Sequence, residues 1–377
     1  MSAGRRTRGL RAACTGCRRR SWLLSCLSGP LECCARDRAR LLELLALEDR
    51  ALIDAVAGRR KAELHARYGS FTARELPRDP HVEAICRHCC GYPQALDDRA
   101  TAPPLEVAGG AARLAKLTAA PVVAILGSRA PSDYGVQMAR SLARGLAASG
   151  VTVAASLTDG VAVAAHAGAM DAGGASVAVM GGGLAVSCPA RRRSLYERVK
   201  HAGCAVSKLP LDCAGRRWGQ LASERILAAL SRMAVVVEAD DTPEDLAAAR
   251  IAVALGRTVA AIPGRVTSPL SRGTHALLMD GATLVRGPRD VLELLYTVGT
   301  AEQCEPPPAP VGAPTDTGLQ PHLRAILERV GSGCDTPDKL ARAGVEPSAA
   351  VLALSELEVI GLLARGDGGR YMPRNAL

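Results

Sequence analysis

The chain has 377 residues, enough for two or three domains. Its 13 cysteines are odd in number and scattered, which excludes a secreted disulfide framework and fits a reducing cytoplasm. The net charge of +10 fits either a polyanionic partner or an Arg-rich, Ala-rich proteome, and no apolar run is long enough to span a bilayer.

Residues 1–110 read as an irregular, largely helical region with a start rich in Cys and Arg. Cys14 and Cys17 form a C-x-x-C pair with zinc-knuckle spacing, and Cys33, Cys34, Cys86, Cys89 and Cys90 are further thiols. Read on its own, one C-x-x-C pair is a moderate signal, so the expectation is a basic tail with incidental thiols and no assigned metal. Ala39–Val56 places apolar residues at helical spacing with charges between them. His81–Pro104 reads as a lead-in segment broken by proline.

From Pro121 the pattern changes. Seven short apolar runs follow, "VVAIL", "VTVAA", "SVAVM", "CAVS", "MAVVVEA", "TVAAIP" and "TLV". Amphipathic stretches separate them, with helix starts expected near Tyr134, Val161, Arg192, Ser223, Pro243 and Gly273. Continuous apolar strands alternating with helices predict a parallel sheet covered on both faces. Residues 111–299 are therefore read as a Rossmann-like, doubly wound α/β core. Ligands of such sheets sit at the carboxyl ends of the strands. In Thr242–Gly256, Thr242 is a cap and Pro243 suits the first helical position. Glu244 and Asp245 complement the helix N-terminus, and Gly256 is the stop.

Residues 300–317 are a Pro-rich, extended linker. Residues 318–377 read as three helices and a β-hairpin with Asp367-Gly368 at its tip, the plan of a winged helix. Its candidate recognition stretch, Ser348–Gly361, has no basic residue, which favours protein contact or packing over groove reading.

Three joints between strand and helix carry groups suited to phosphate. Gly127-Ser128-Arg129 offers a flexible turn, a hydroxyl with neighbouring amides, and a guanidinium. It is not the G-x-G-x-x-G fingerprint, so NAD or FAD is disfavoured and no cofactor is assigned. Met180–Val199 follows its strand with glycines and then Arg191, Arg192 and Arg193 near a helix start. Ile262–Ala282 is a long polar loop whose Arg265, Ser268, Ser271, Arg272 and Thr274 are potential donors.

These pieces occur in the order "GSRAPSDYG", "DGVAVAAHAGAMDAGG", "VAVMGGGLAVSCP", "ERILAALS", "VVVEA" and "GRTVAAIPGRVTSPLSRGTHALLMDGATLV". In that order they resemble the DNA processing protein A family, also called Smf. The resemblance covers the chain from about Pro93 to its end. It implies a Rossmann-like core with a helical N-terminal domain and a C-terminal winged helix. It also implies non-sequence-specific binding of single-stranded DNA, loading of a RecA-type recombinase in natural transformation, a homodimer, a cytoplasmic setting and no catalysis. On that resemblance Arg129 contacts DNA phosphate, and Arg191, Arg192 and Arg193 line the same groove. Gly127, Gly160, Gly181 and Gly183 let the strand approach, and His166 matches the family's "AH". Ser128, Arg265, Ser271 and Thr274 complete the expected donors.

The chain departs from the family pattern at three places. The usual Asp after Gly-Ile is Ala162. The family's Phe-Pro-x-Arg-Asn-Arg is Gln220–Arg225, with Ser223 and Glu224 replacing Arg and Asn and Arg225 left as the cation. The hydroxyl-rich Ser-Gly-Ser-Leu-x-Thr is Pro243–Ala248, which brings in Glu244 and Asp245. The alternative reading is a nucleotide-binding or nucleoside-monophosphate-processing protein with a degenerate phosphate site. That chemistry needs a Pro-Gly-Gly-x-Gly-Thr loop and a Glu beyond it, and Glu238 is the only candidate acid.

Overall fold

Small side chains dominate the sheet interior, which lets the helices lie close against it. A computed structural model describes residues 12–96, 101–186, 188, 190–214, 217–301, 320–331, 334, 336–365 and 371–373. The chain divides into two compact units, Met1–Gln303 and Cys304–Leu377.

The first unit opens with five short helices, α1 (Thr15–Cys26), α2 (Ser28–Cys34), α3 (Arg38–Ala46), α4 (Asp49–Val56) and α5 (Lys61–Gly69). The periodic stretch Ala39–Val56 is thus two helices, broken at extended Leu47. Their apolar faces share one core of Trp22, Leu23, Leu31, Leu41, Leu52 and Phe71. A buried polar knot fixes them: Arg20 donates to Asp49 at 2.7 Å and to two backbone carbonyls, and Tyr68 donates to the other Asp49 oxygen at 2.6 Å.

Among the described residues nine strands form one sheet. Two were not expected. β1 (Val82–Ile85) and β2 (Leu105–Ala108) pair antiparallel at one edge, and β2 pairs antiparallel with β6 (Cys204–Ser207). Glu83 and Glu106 interrupt their apolar character, which hides them from a search for continuous apolar runs. The seven expected runs all form parallel strands. The others are β3 (Val122–Leu126), β4 (Thr152–Ser156), β5 (Ser176–Val179), β7 (Met233–Val236), β8 (Thr258–Ala261) and β9 (Thr283–Leu284). The order is β1-β2-β6-β5-β4-β3-β7-β8-β9. The chain runs outward from β3 in both directions, so the topological switch lies between β3 and its neighbour β7.

The crossover helices are α6 (Ala111–Ala119), α7 (Asp133–Ala148), α8 (Val161–Asp171), α9 (Arg193–Ala202), α10 (Arg217–Leu230), α11 (Ala247–Ala254), α12 (Arg272–Met279) and α13 (Pro288–Ala301). Leu142, Leu146 and Ala165 of α7 and α8 pack on Val123, Val153 and Val235, with Val291 and Leu295 of α13 joining them. The opposite face packs on Leu114 of α6, Ile226 and Leu227 of α10 and Leu277 of α12. Two helix starts differ from expectation. α10 begins at Arg217 rather than near Ser223. Pro243 lies in a turn, closed by the Asp245 amide donating to Thr242 Oγ1 at 3.2 Å, and α11 begins only at Ala247.

The second unit holds α14 (Pro321–Gly331), α15 (Pro337–Arg342) and α16 (Pro347–Val359), then strands β10 (Leu363–Arg365) and β11 (Tyr371–Pro373), paired antiparallel. Leu323, Leu340, Leu354, Leu357 and Tyr371 form its core. The Pro-rich linker and the Asp367-Gly368 tip lie outside the described residues.

Candidate nucleic-acid interface

The β3–α7 joint sits at the switch point, where sheets of this class place ligands. Ser132 starts α7, its Oγ accepting from the Gly135 amide at 3.2 Å. The loop before it does not form the expected cradle of free amides. The Ser128 amide donates to the Glu238 carbonyl at 2.6 Å, and the Ala130 amide donates to Ser128 Oγ at 3.1 Å. Glu238, just beyond β7, fills the remaining space. Its carboxylate accepts from the Ser132 amide at 2.9 Å and from the Ser132 hydroxyl at 2.6 Å. A buried protein carboxylate therefore takes the helix N-terminus that a nucleotide phosphate would use.

What remains available at this joint is the Arg129 side chain. Arg129 is exposed, and among the described residues no carboxylate lies within ion-pair distance of it. It edges a cavity of about 470 Å³ at the carboxyl ends of β4 and β5. Ser156, Thr158 and Met180 line that cavity from the strand ends, Gly181 and Gly182 from the loop after β5, and Gln220 and Ser223 from α10. Arg192 lines it too, so the cavity gathers Arg129 and the second of the three consecutive arginines.

Arg192 is held differently from Arg129. Its guanidinium donates to the Leu157 carbonyl and pairs with Asp159 at 3.2 Å. It braces the loop between β4 and α8 before it offers charge to a ligand. Arg193 is exposed at the start of α9. Arg191 belongs to the short turn before that helix, and its side chain lies outside the described residues.

The glycines divide in the same way. Gly160 has φ +75°, and a Cβ there would stand 2.3 Å from the Ser128 carbonyl oxygen. It is required for loop-to-loop packing. Gly127 abuts the Glu238 carbonyl and Gly183 the Pro210 carbonyl, so both also serve the fold. Gly181 is the exception. A Cβ there would meet nothing closer than 3.5 Å, and its backbone faces the cavity.

The loop after β8 folds back on the end of β7. The Ala239 amide donates to the Leu270 carbonyl at 2.8 Å, and the Gly273 amide donates to the Ala239 carbonyl at 3.0 Å. Ser271 and Thr274 are buried, and the Thr274 hydroxyl donates to the Ser271 carbonyl at 3.0 Å. Both were expected to face phosphate and instead shape the loop. Arg265 is exposed, while Arg272 pairs with Asp240 at 3.4 Å. Arg225 is exposed on α10 but turned from the rim; it lines a larger, mostly apolar cavity of about 590 Å³ between α10 and the N-terminal helices.

Residues 83–296 match the model of the family described as DNA recombination-mediator protein A. The chain belongs to the DNA processing protein A family. A putative DNA processing protein DprA of Mycobacterium tuberculosis is 38% identical over 261 residues, 69% of this chain and 66% of the relative. The chain thus spans just under two thirds of that relative's length. Protein Smf of Escherichia coli is 34% identical over 256 residues, 67% of this chain and 68% of the relative. Among solved structures, DNA processing protein A of Streptococcus pneumoniae superposes with a TM-score of 0.59 at 26% identity, covering 75% of this chain and 99% of that one. The Helicobacter pylori protein, whose structure was described for its single-stranded DNA binding mode, shares the fold with a TM-score of 0.51 at 24% identity over 58% of this chain and 96% of that one.

Within this DprA/Smf chain, His166 is a structural residue. It is fully buried, with Nδ1 2.7 Å from Ser176 Oγ and Nε2 3.1 Å from the Ser156 carbonyl. Burial lowers its pKa to about 4, which favours the neutral ring with Nε2–H donating to the Ser156 carbonyl, and the Ser176 hydroxyl lies between His166 Nδ1 and the Val153 carbonyl, 3.1 Å away. It thereby pins the end of β4 beneath the cavity. The departures at α10 also acquire a place. Ser223 lines the rim cavity and donates to the Gln220 carbonyl at 2.7 Å, while Glu224 turns away to Arg38. Glu244 and Asp245 are exposed, and with Asp240 and Asp241 they add four acids beyond Glu238 in the segment after β7. Reading the sequence missed Gln220, Ser156 and Thr158 as cavity residues. The polar stretch Ser156-Leu157-Thr158 directly after a strand was the available signal.

Proposed function

We propose that this chain binds single-stranded DNA without sequence preference at the carboxyl rim of its sheet, acts without catalysis, and passes the strand to a RecA-type recombinase during DNA uptake and natural transformation, as a homodimer. The observation that carries the DNA reading is the exposed Arg129 guanidinium, free of carboxylates among the described residues, beside a cavity edged by the bare backbone of Gly181. Exposed Arg193 and Arg265 follow other strands of the same sheet and extend the positive charge. Among the described residues no aromatic side chain lines the cavity, so phosphate contact outweighs base stacking. Family membership and the single-stranded DNA binding mode described for the H. pylori relative point the same way.

The nucleotide-processing reading loses its acid. Glu238 is buried with both oxygens bonded to Ser132, and it occupies the helix N-terminus a nucleotide would need. Fluorescence anisotropy of labelled oligo-dT and of a duplex, each at two salt concentrations, tests the proposal. Binding to oligo-dT that weakens steeply with salt is expected. Oligo-dT binding that is absent at low salt, or indifferent to salt, would overturn it.

A further inference from the structure

The tail thiols lie far from the rim in strand order, and the structure gathers them. The Ala13 amide donates to the Ala84 carbonyl of edge strand β1 at 2.7 Å, which lays the start of the described chain along that strand. This brings Cys14 and Cys17, at the start of α1, against Cys86 and His88, just after β1. The three Sγ atoms and one His88 ring nitrogen all lie within 4.8 Å of one another. His88 Nδ1 is 3.5 Å from Cys14 Sγ, 3.8 Å from Cys17 Sγ and 3.6 Å from Cys86 Sγ.

Those three distances have a specific meaning. A tetrahedral ion with metal–sulfur bonds of about 2.3 Å and a metal–nitrogen bond of about 2.0 Å has sulfur–nitrogen edges of about 3.5 Å. The nitrogen stands at that distance from all three sulfurs at once. Packed neutral thiols have no reason to converge on one imidazole nitrogen with this regularity. An iron–sulfur cluster would hold its ligands much farther apart than the single-ion edges seen here.

We infer that Cys14, Cys17, Cys86 and His88 form a four-coordinate site for a single zinc ion, which staples the N-terminal helical segment to the edge strand of the sheet. Soft thiolates and one imidazole in a tetrahedral set are the donors zinc prefers. All four positions are filled by protein, so the site is structural and not catalytic. The surroundings suit a site with one net negative charge, the sum of three thiolates and a divalent cation. The Cys14 amide donates to Cys86 Sγ at 3.5 Å, and Arg18, next to Cys17 in the chain, donates its Nε to the Ala13 carbonyl at 3.1 Å. Cys89 accepts from the Cys86 amide at 3.2 Å and is a supporting thiol. Cys33, Cys34 and Cys90 are outside the cluster. The staple closes a loop of some seventy residues between Cys17 and Cys86, so metal binding is coupled to holding the N-terminal helices in place.

The test uses the full chain, purified under reducing conditions without chelator, then titrated with zinc chloride. Elemental analysis should give one zinc per chain. Cobalt substitution should give the intense visible bands of a tetrahedral ion and the near-ultraviolet sulfur-to-cobalt charge transfer of a thiolate site. Cys14→Ser and Cys86→Ser should each lose the ion, while Cys33→Ser and Cys90→Ser keep it. Chelation should lower the melting temperature of the native chain and leave that of Cys14→Ser unchanged. If the serine variants fail to fold, the cobalt spectrum of the native chain still decides. A native chain that takes up neither zinc nor cobalt overturns the proposal. So does retention of zinc by both Cys14→Ser and Cys86→Ser. Loss of the ion in Cys89→Ser with retention in His88→Ala would overturn the histidine as fourth ligand.

Discussion

Glu224 on α10 accepts a hydrogen bond from Arg38 on α3, Nη2 to Oε2 at 2.6 Å, and this pair joins the N-terminal helices to the sheet domain. The Glu224 side chain is only 9% exposed, and Gln220 donates to its other oxygen at 3.0 Å. Where the family pattern has an asparagine, this chain has an acid that finds its partner in another layer. Removing Arg38 leaves a buried carboxylate with one neutral donor. Arg38→Ala is expected to cost about 1–3 kcal/mol in urea unfolding, and Glu224→Gln less, because the amide keeps the shape without the stranded charge. Equal losses would show that solvent at the 35% exposed Arg38 already screens the pair.

Arg129 and Arg192 share a cavity but not a role. Arg129→Ala removes an exposed charge that has no carboxylate partner among the described residues. Its stability should stay within about 0.5 kcal/mol of the parent, and its affinity for oligo-dT should fall severalfold. The slope of log affinity against log salt should become shallower by about 0.7, the loss of one phosphate contact on a single strand. Arg192→Ala removes the guanidinium that the Leu157 carbonyl accepts from and that pairs with Asp159. It should lose about 1–2 kcal/mol of stability before any effect on DNA is considered. Unfolding curves and anisotropy on both variants separate charge at the interface from bracing of the loop.

The seven parallel strands were legible because each is a continuous apolar run bounded by turn residues, the mark of a strand covered on both faces. β1 and β2 were not, because an antiparallel edge tolerates Glu83 and Glu106 in its strands. At the site, Arg129 was legible from its place directly after a strand. Its surroundings were not. Glu238 reaches the amides of a loop more than a hundred residues earlier, and Ser271 and Thr274 turn inward because their loop folds back on β7. A long gap in sequence, some seventy residues, likewise separates Cys14 and Cys17 from Cys86 and His88. A C-x-x-C pair is visible locally, but its partners are supplied by the topology.

Two glycines of the rim make opposite predictions. Gly160→Ala must place a Cβ at φ +75°, 2.3 Å from the Ser128 carbonyl oxygen. It should cost more than about 2 kcal/mol, by left-handed strain and by pushing the Arg129 loop away. Gly181→Ala has room, with its nearest contact at 3.5 Å. Its stability should be unchanged, and any loss of oligo-dT affinity would report close approach of the strand to that backbone. A Gly181→Ala chain that binds as the parent does would remove this strand end from the interface.

His166 sets the last expectation, on pH. Burial holds its folded pKa near 4, below the ordinary 6.5. The unfolded chain therefore binds the extra proton first as pH falls. The stability tied to neutral His166 is complete above pH 6.5 and is lost between 6.5 and 4, by about 3 kcal/mol at the acid end. Glu106 acts in the opposite sense. Burial raises its pKa from 4.5 to about 7, so the stability tied to its neutral form is complete below 4.5 and is lost as pH rises through 7. The two slopes largely cancel between pH 4.5 and 6.5 in the parent chain. His166→Gln keeps a donor for the Ser156 carbonyl but does not titrate. Its stability should rise as pH falls from 7 toward 5, while the parent stays nearly level. Urea unfolding of both chains across that range decides the matter, because parallel curves would mean that His166 does not titrate from a buried, neutral state.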